Sequence, residues 1–230
     1  MLKLDDVHSY YDESHILHGM SFELRDGEVA TLIGRNGVGK TTTLRTIMGI
    51  VRARRGTIAF NDTDITSFAS DRIAKLGIAY VPEERGIYAT LNVRENLMFA
   101  PAIAPGGWEI DRIFDAFPNL KERAGAVGTT LSGGEQQMLA IARALRSGAK
   151  TILLDEPTEG LAPVIVERIG QIILDMRGAG LSVLLVEQNV RFARDVADRH
   201  HIVAHGKVEQ ILTSAELATR ESDLLEYLGV

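Results

Sequence analysis

Thr151-Ile152-Leu153-Leu154 is an apolar run that ends in two carboxylates, Asp155 and Glu156. A strand of this kind delivers its last residues to the C-terminal edge of a sheet, where open α/β sheets bind ligands. There Asp155 is placed to hold a divalent cation, directly or through water. Glu156 is placed to orient or deprotonate an attacking water. Far upstream, Gly34-Arg35-Asn36-Gly37-Val38-Gly39-Lys40-Thr41 follows another apolar run, over residues 29–33. Gly34, Gly37 and Gly39 permit positive φ and close backbone approach, so several N–H groups can surround a phosphate at the positive end of the next helix. Lys40 reaches β/γ-phosphate oxygens, the Thr41 hydroxyl ligates magnesium, and Thr42 completes the nucleotide-binding set.

A third segment, Leu131-Ser132-Gly133-Gly134-Glu135, precedes the carboxylate strand. Ser132 and Glu135 have the spacing of a capping box, and Met138, Ile141, Ala142 and Leu145 then recur at helical intervals. Capping does not require two glycines in a first turn, where each costs up to ~1 kcal/mol against alanine. Bare backbone there would admit a second phosphate to a helix end.

The elements that must position these groups alternate strand and helix, which implies a mainly parallel sheet. Strands are read at 21–24, 29–33, 56–60, 77–81, 151–154 and 182–186, with Asp26-Gly27 as a tight turn between the first two. Helices are read at 40–48, 92–100, 111–117, 163–177 and 215–228, and His205-Gly206 joins a final hairpin. Strand signals fade between about 84 and 126, so a helical subdomain of about 84–148 is expected within a core made of 1–83 and 149–230.

Composition narrows the class. At 230 residues the chain suits one large domain. The net charge of −6 argues against general attraction to nucleic acid or anionic lipid. Absence of cysteine excludes disulfides and thiolate metal sites and fits a reducing compartment. No run approaches the ~20 apolar residues of a membrane-spanning helix, so work at a membrane would be as a peripheral subunit. The six histidines show no metal-ligand clustering beyond His200-His201, which alternate across a strand. Met138 and Met176 read as core, and Trp108 as packing or a partner contact.

Together the phosphate loop, the Leu131–Glu135 signature and the acidic strand end resemble the ATP-binding cassette (ABC) ATPases along essentially the whole chain. The resemblance implies an α/β phosphate-loop core, an antiparallel β subdomain and a helical subdomain, with ATP and Mg2+ bound. It implies that Leu131, Ser132, Gly133, Gly134 and Glu135 act in trans, closing over ATP held by a second cassette. Tyr11 matches the aromatic that stacks on adenine, although Tyr10 could exchange roles with it. Glu83 stands where the family usually has a glutamine, and as a carboxylate it can still bind magnesium or water. Ala162 stands where many relatives have aspartate.

Gln188 replaces the usual histidine. It relays no proton near neutral pH, which leaves Glu156 the main catalytic candidate. Val81-Pro82-Glu83, Glu159 to Pro163 and Val186-Glu187-Gln188-Asn189 together look like an ATPase subunit of bacterial branched-chain amino-acid importers, as do His18 to Ser21 and the ending 226–230. Such importers imply a second cassette, in a heterodimer whose partner has the histidine or, as the alternative, a homodimer, with two integral membrane permeases, an extracytoplasmic binding protein and a place on the cytoplasmic side of the inner membrane. Residues 83–97, with Gly86-Ile87-Tyr88, are the expected coupling surface. Amide or urea import, a soluble ABC protein of repair or translation, and a regulatory module of low turnover remain alternatives.

Overall fold

A computed structural model describes residues 1–220. The chain begins with strands β1 (Leu2–Tyr11) and β2 (Ser14–Leu24), then β3 (Val29–Ile33), helix α1 (Lys40–Ile47), β4 (Ala53–Phe60) and β5 (Thr63–Asp64). Next come α2 (Ser70–Lys75), β6 (Ile78–Val81) and the helices α3 (Val93–Met98), α4 (Ile110–Ala116), α5 (Pro118–Glu122) and α6 (Gly133–Arg146). The remainder is β7 (Thr151–Asp155), α7 (Pro163–Gly178), β8 (Ser182–Glu187), α8 (Val190–Val196), β9 (Arg199–Ala204), β10 (Lys207–Thr213) and α9 (Ser214–Thr219).

Two sheets result. One is antiparallel in the order β2-β1-β4-β5; the other runs β10-β9-β3-β8-β7-β6, parallel from β9 to β6. Asp26-Gly27 is a turn, but β2 and β3 do not pair: the turn carries the chain from one sheet to the other. The short helices α2, α5 and α8 have no counterpart among the expected elements. The helix expected over 215–228 begins as α9; its remainder, like the ending 226–230, lies outside the described residues.

Strands β7 and β8 are buried along their whole length because both faces carry a core. Ile152, Leu154, Val183 and Leu185 pack with Met138 and Ile141 of α6, Ile169 and Ile173 of α7 and Phe192 of α8. The intervening Leu153, Leu184 and Val186 pack with Leu44 and Ile47 of α1 and with Leu4, Val7, Leu17 and Met20 of the antiparallel sheet. The period of two along a strand thus divides one run of sequence between two cores. Met176 and Trp108 are buried in the first of them, and the Arg112 guanidinium lies over the indole at 3.8 Å.

The turn between β9 and β10 joins these parts. Gly206 N–H donates to the Val38 carbonyl in the phosphate loop (3.0 Å), and His18 N–H of β2 donates to the Gly206 carbonyl (2.9 Å). Among the described residues no helix is long and apolar enough to cross a membrane.

Candidate functional site

The buried strand β3 fixes where the phosphate loop starts, and α1 fixes where it ends. Gly34 is required by close approach: a Cβ there would lie 2.4 Å from the Val203 carbonyl oxygen. Gly39, at φ 104°, is the N-cap of α1 and takes a conformation costly to other residues. The Lys40 ammonium is folded back into the loop, donating to the carbonyls of Gly34 (2.7 Å) and Arg35 (3.1 Å) and pairing with Glu156 at 3.3 Å. The Val38 side chain packs on the second core, whereas the Arg35 side chain is exposed.

Across the loop, Thr41 Oγ1 donates to Asp155 Oδ1 at 2.9 Å, and the Tyr80 hydroxyl of β6 donates to Oδ2 at 2.8 Å. Burial pushes the Asp155 carboxyl up, while these two donors act against the rise. Burial and the Asp155 charge likewise raise the Tyr80 phenol, so it remains a donor. Thr41 and Asp155 present adjacent hard oxygens, the donor type magnesium prefers. Among the described residues no three His, Asp or Glu groups are arranged to hold a metal by themselves.

Glu156 has a left-handed backbone, φ 45°. Its N–H continues the ladder to the Val186 carbonyl (3.0 Å), while the turn swings its side chain onto Lys40 and onto Gln188, whose Nε2 donates to Glu156 Oε2 at 2.5 Å. Glu159, three residues on, has no site role in the sequence argument beyond opening the 159–163 motif; a hydrogen bond with Glu156 raises its carboxyl. Asn36, Lys40, Thr41, Thr42, Glu83, Glu156 and Glu159 line one cleft of about 390 Å³ with Ile16, Gly37 and Gly39. One buried ammonium, paired with Glu156, therefore shares this cleft with the carboxylates of Glu83 and Glu159.

The signature segment lies elsewhere. Ser132 Oγ accepts from Glu135 N–H (3.3 Å) and Glu135 Oε2 accepts from Ser132 N–H (2.7 Å), the reciprocal capping box expected. A Cβ at Gly134 would lie 2.9 Å from Ile165 of α7, so packing accounts for this glycine as well as any anion does. Leu131 is buried, and Gly133 faces the Arg85 guanidinium. Ser132 and Glu135 line a larger cleft of about 750 Å³ with Val164, Ile165 and Arg168. Volume alone would choose that cleft, but the phosphate chemistry is in the smaller one.

Tyr10 is already engaged: His15 stacks on it at 4.1 Å and 6°, and Arg54 lies over the ring at 4.6 Å. Tyr11 is 41% exposed, and its hydroxyl meets Arg45 of α1. Among the described residues the β1–β2 register also gathers three histidines that are not arranged to hold a metal. His8 pairs with His18 and Tyr10 with His15, so His8, His15 and His18 form a cluster, with His8 Nδ1 3.0 Å from His15 Nε2. His200 and His201 are buried structural groups, bonded respectively to the Thr31 hydroxyl (2.9 Å) and carbonyl (3.1 Å).

The ABC transporter family model matches residues 17–159. The chain is 42% identical to the high-affinity branched-chain amino acid transport ATP-binding protein BraG of Pseudomonas aeruginosa, covering all of both chains. It is 38% identical to a probable branched-chain amino acid transport ATP-binding protein, LivF, of Archaeoglobus fulgidus, over 96% of this chain and 95% of the relative. It is also 35% identical to the lipopolysaccharide export system ATP-binding protein LptB of Haemophilus influenzae, over 100% and 97%. Among solved structures, the ATP-binding subunit of an ABC transporter superposes with a TM-score of 0.83 at 26% identity, over 98% of this chain and 94% of that one. The phosphate cleft, the capped glycine signature and these full-length likenesses agree: the chain belongs to the ABC transporter family, as an ATP-binding and ATP-hydrolysing subunit.

Proposed function

We propose that this subunit powers import of branched-chain or related amino acids, with Glu156 as the residue that orients and deprotonates the attacking water. The contact of Glu156 with both Lys40 and Gln188 carries the assignment: it sets a carboxylate beside the cation that would hold the γ-phosphate. In this reading the phosphate-loop N–H groups and Lys40 bind the phosphates, and Tyr11 stacks on adenine. Thr41 and Asp155, with Glu83 in reach through water, would hold Mg2+, which when bound supplies charge neutralisation at the β- and γ-oxygens. Gln188 donates to Glu156 and holds it in place without relaying a proton. Ser132, Gly133 and Gly134 serve the site of a second cassette, in keeping with their absence from this chain's own phosphate cleft.

The core, residues 1–83 and 149–230, and a helical subdomain of about 84–148 would move relative to one another as ATP closes the pair. A groove of about 610 Å³ lies between them, lined by Met48, Ile50, Val81, Pro82, Ala100 and Ala140 among others. An integral membrane permease is the partner we place there, which puts the subunit on the cytoplasmic face of a membrane. The 42% identity to a branched-chain amino-acid transport protein supports the solute class. The relatives in lipopolysaccharide export support a second reading, an exporter.

The test is affinity purification of tagged Glu156→Gln protein from its host's solubilised membranes, with and without ATP. The variant is expected to bind ATP and to lose steady-state hydrolysis by about 100-fold or more. Two permeases and a second, histidine-containing cassette should accompany it. Hydrolysis at the parental rate would remove Glu156 as the base; soluble partners alone would sink the importer.

A further inference from the structure

Glu187 ends β8 at 3% exposure and has no part in the chemistry above. Its Oε1 accepts from the Thr158 hydroxyl at 2.7 Å. Its Oε2 accepts from the backbone N–H groups of Gln188 (3.2 Å) and Asn189 (3.3 Å). Asn189 in turn caps α8, accepting from Phe192 N–H at 3.1 Å. One carboxylate therefore ties together the loop after β7, through Thr158, and the loop after β8, through both of its first amides. These are the two loops that bring the Gln188 amide onto Glu156. An apolar residue would fill this strand end at lower cost, because a buried carboxylate must be fully hydrogen-bonded to be tolerated.

We propose that Glu187 is a positioning residue for ATP hydrolysis: it clamps Thr158 to the Gln188 loop and so fixes the Gln188 amide on the Glu156 carboxylate. The proposal rests on the assignment of Glu156 as the base. Burial pushes the Glu187 carboxyl up to about 7, against the pull of its three donors. The charged group facing it from the β7 side is Glu156, itself paired to Lys40 of α1; Thr158, Gln188 and Asn189 are neutral. When ionised, Glu187 accepts from Thr158. When protonated, it can donate to the same hydroxyl, which has lone pairs to receive the proton. Only the ionised form holds Thr158 by accepting from it; the neutral form turns that hydroxyl round and no longer sets the Gln188 loop in the same geometry.

The experiment compares the full chain with Glu187→Gln, Thr158→Val, Thr158→Ser and Glu156→Gln. Thermal unfolding, ATP affinity by equilibrium dialysis, and kcat and KM for MgATP between pH 6 and 8.5 are measured for each. Glu187→Gln and Thr158→Val are expected to lower kcat by about 10- to 100-fold, as misplacement of a reacting group does, with KM and ATP affinity within about two-fold. Thr158→Ser, which keeps the hydroxyl, should recover most of that loss, and Glu187→Gln should flatten the pH dependence of kcat near 7. Parental kcat in both Glu187→Gln and Thr158→Val, or a loss matching only the unfolded fraction, would overturn the positioning role. Parental hydrolysis by Glu156→Gln would remove the base itself, and the proposal with it.

Discussion

Tyr80 reaches Asp155 from a neighbouring strand, and its hydroxyl supplies one of the two side-chain donors to a buried carboxylate. Tyr80→Phe keeps the ring and removes that donor, so folding stability should fall by roughly 1–2 kcal/mol in urea titrations. An unchanged midpoint would mean the bond contributes nothing. Asp155 and Glu156 were legible in the sequence because an apolar run ending in charge announces its own edge. Tyr80 was not, because its role depends on β6 lying beside β7, with Tyr80 in register with Leu153. Strand order is a long-range property that local spacing does not encode. The same limit hid the place of Glu159 in the site: the left-handed turn at Glu156 folds the chain back, and nothing in residue spacing reports a positive φ at a non-glycine.

Two elements make testable contributions of their own. Helix α6 starts at a reciprocal cap, so Ser132→Ala should cost about 1 kcal/mol in thermal or urea unfolding. A cost near zero would show that packing against α7 holds this helix end alone. Strand β9 contributes a pH dependence. Burial holds His200 and His201 down to about 4, from the ordinary 6.5. Between those values the unfolded chain binds protons that the folded chain does not, so their stabilisation is present above 6.5 and is lost as pH falls toward 4. The urea midpoint should drop over that window, and more shallowly in His201→Phe; an equal drop in the variant would rule His201 out. The capping box and the apolar strands were readable from sequence. The His8, His15 and His18 cluster was not, since β1–β2 pairing contains register shifts that spacing does not forecast.

At the scale of the molecule, both faces of the parallel sheet are covered, yet Ile50 is 56% exposed beside the groove and Phe99 66% exposed at the end of α3. Ile50→Asp and Phe99→Asp should change folding stability by no more than about 0.5 kcal/mol while abolishing co-purification of the permeases. Retained co-purification in the double variant would move the docking surface elsewhere. The two-sheet architecture itself was legible as a class, and Asp26-Gly27 is the turn its residues announce; that the turn crosses between layers depends on strand pairing, which residue spacing does not encode. The β9–β10 turn has a further consequence. Hairpin tips are ordinarily where chains accept inserted peptides, tags or new termini. Here a Cβ at Gly206 would sit 2.0 Å from the Ile16 carbonyl oxygen, and both peptide groups of the tip are spoken for by the phosphate loop and β2. The tip works as a keystone, so an epitope spliced in at His205-Gly206 would silence nucleotide binding from a position that looks, on a topology diagram, like free surface.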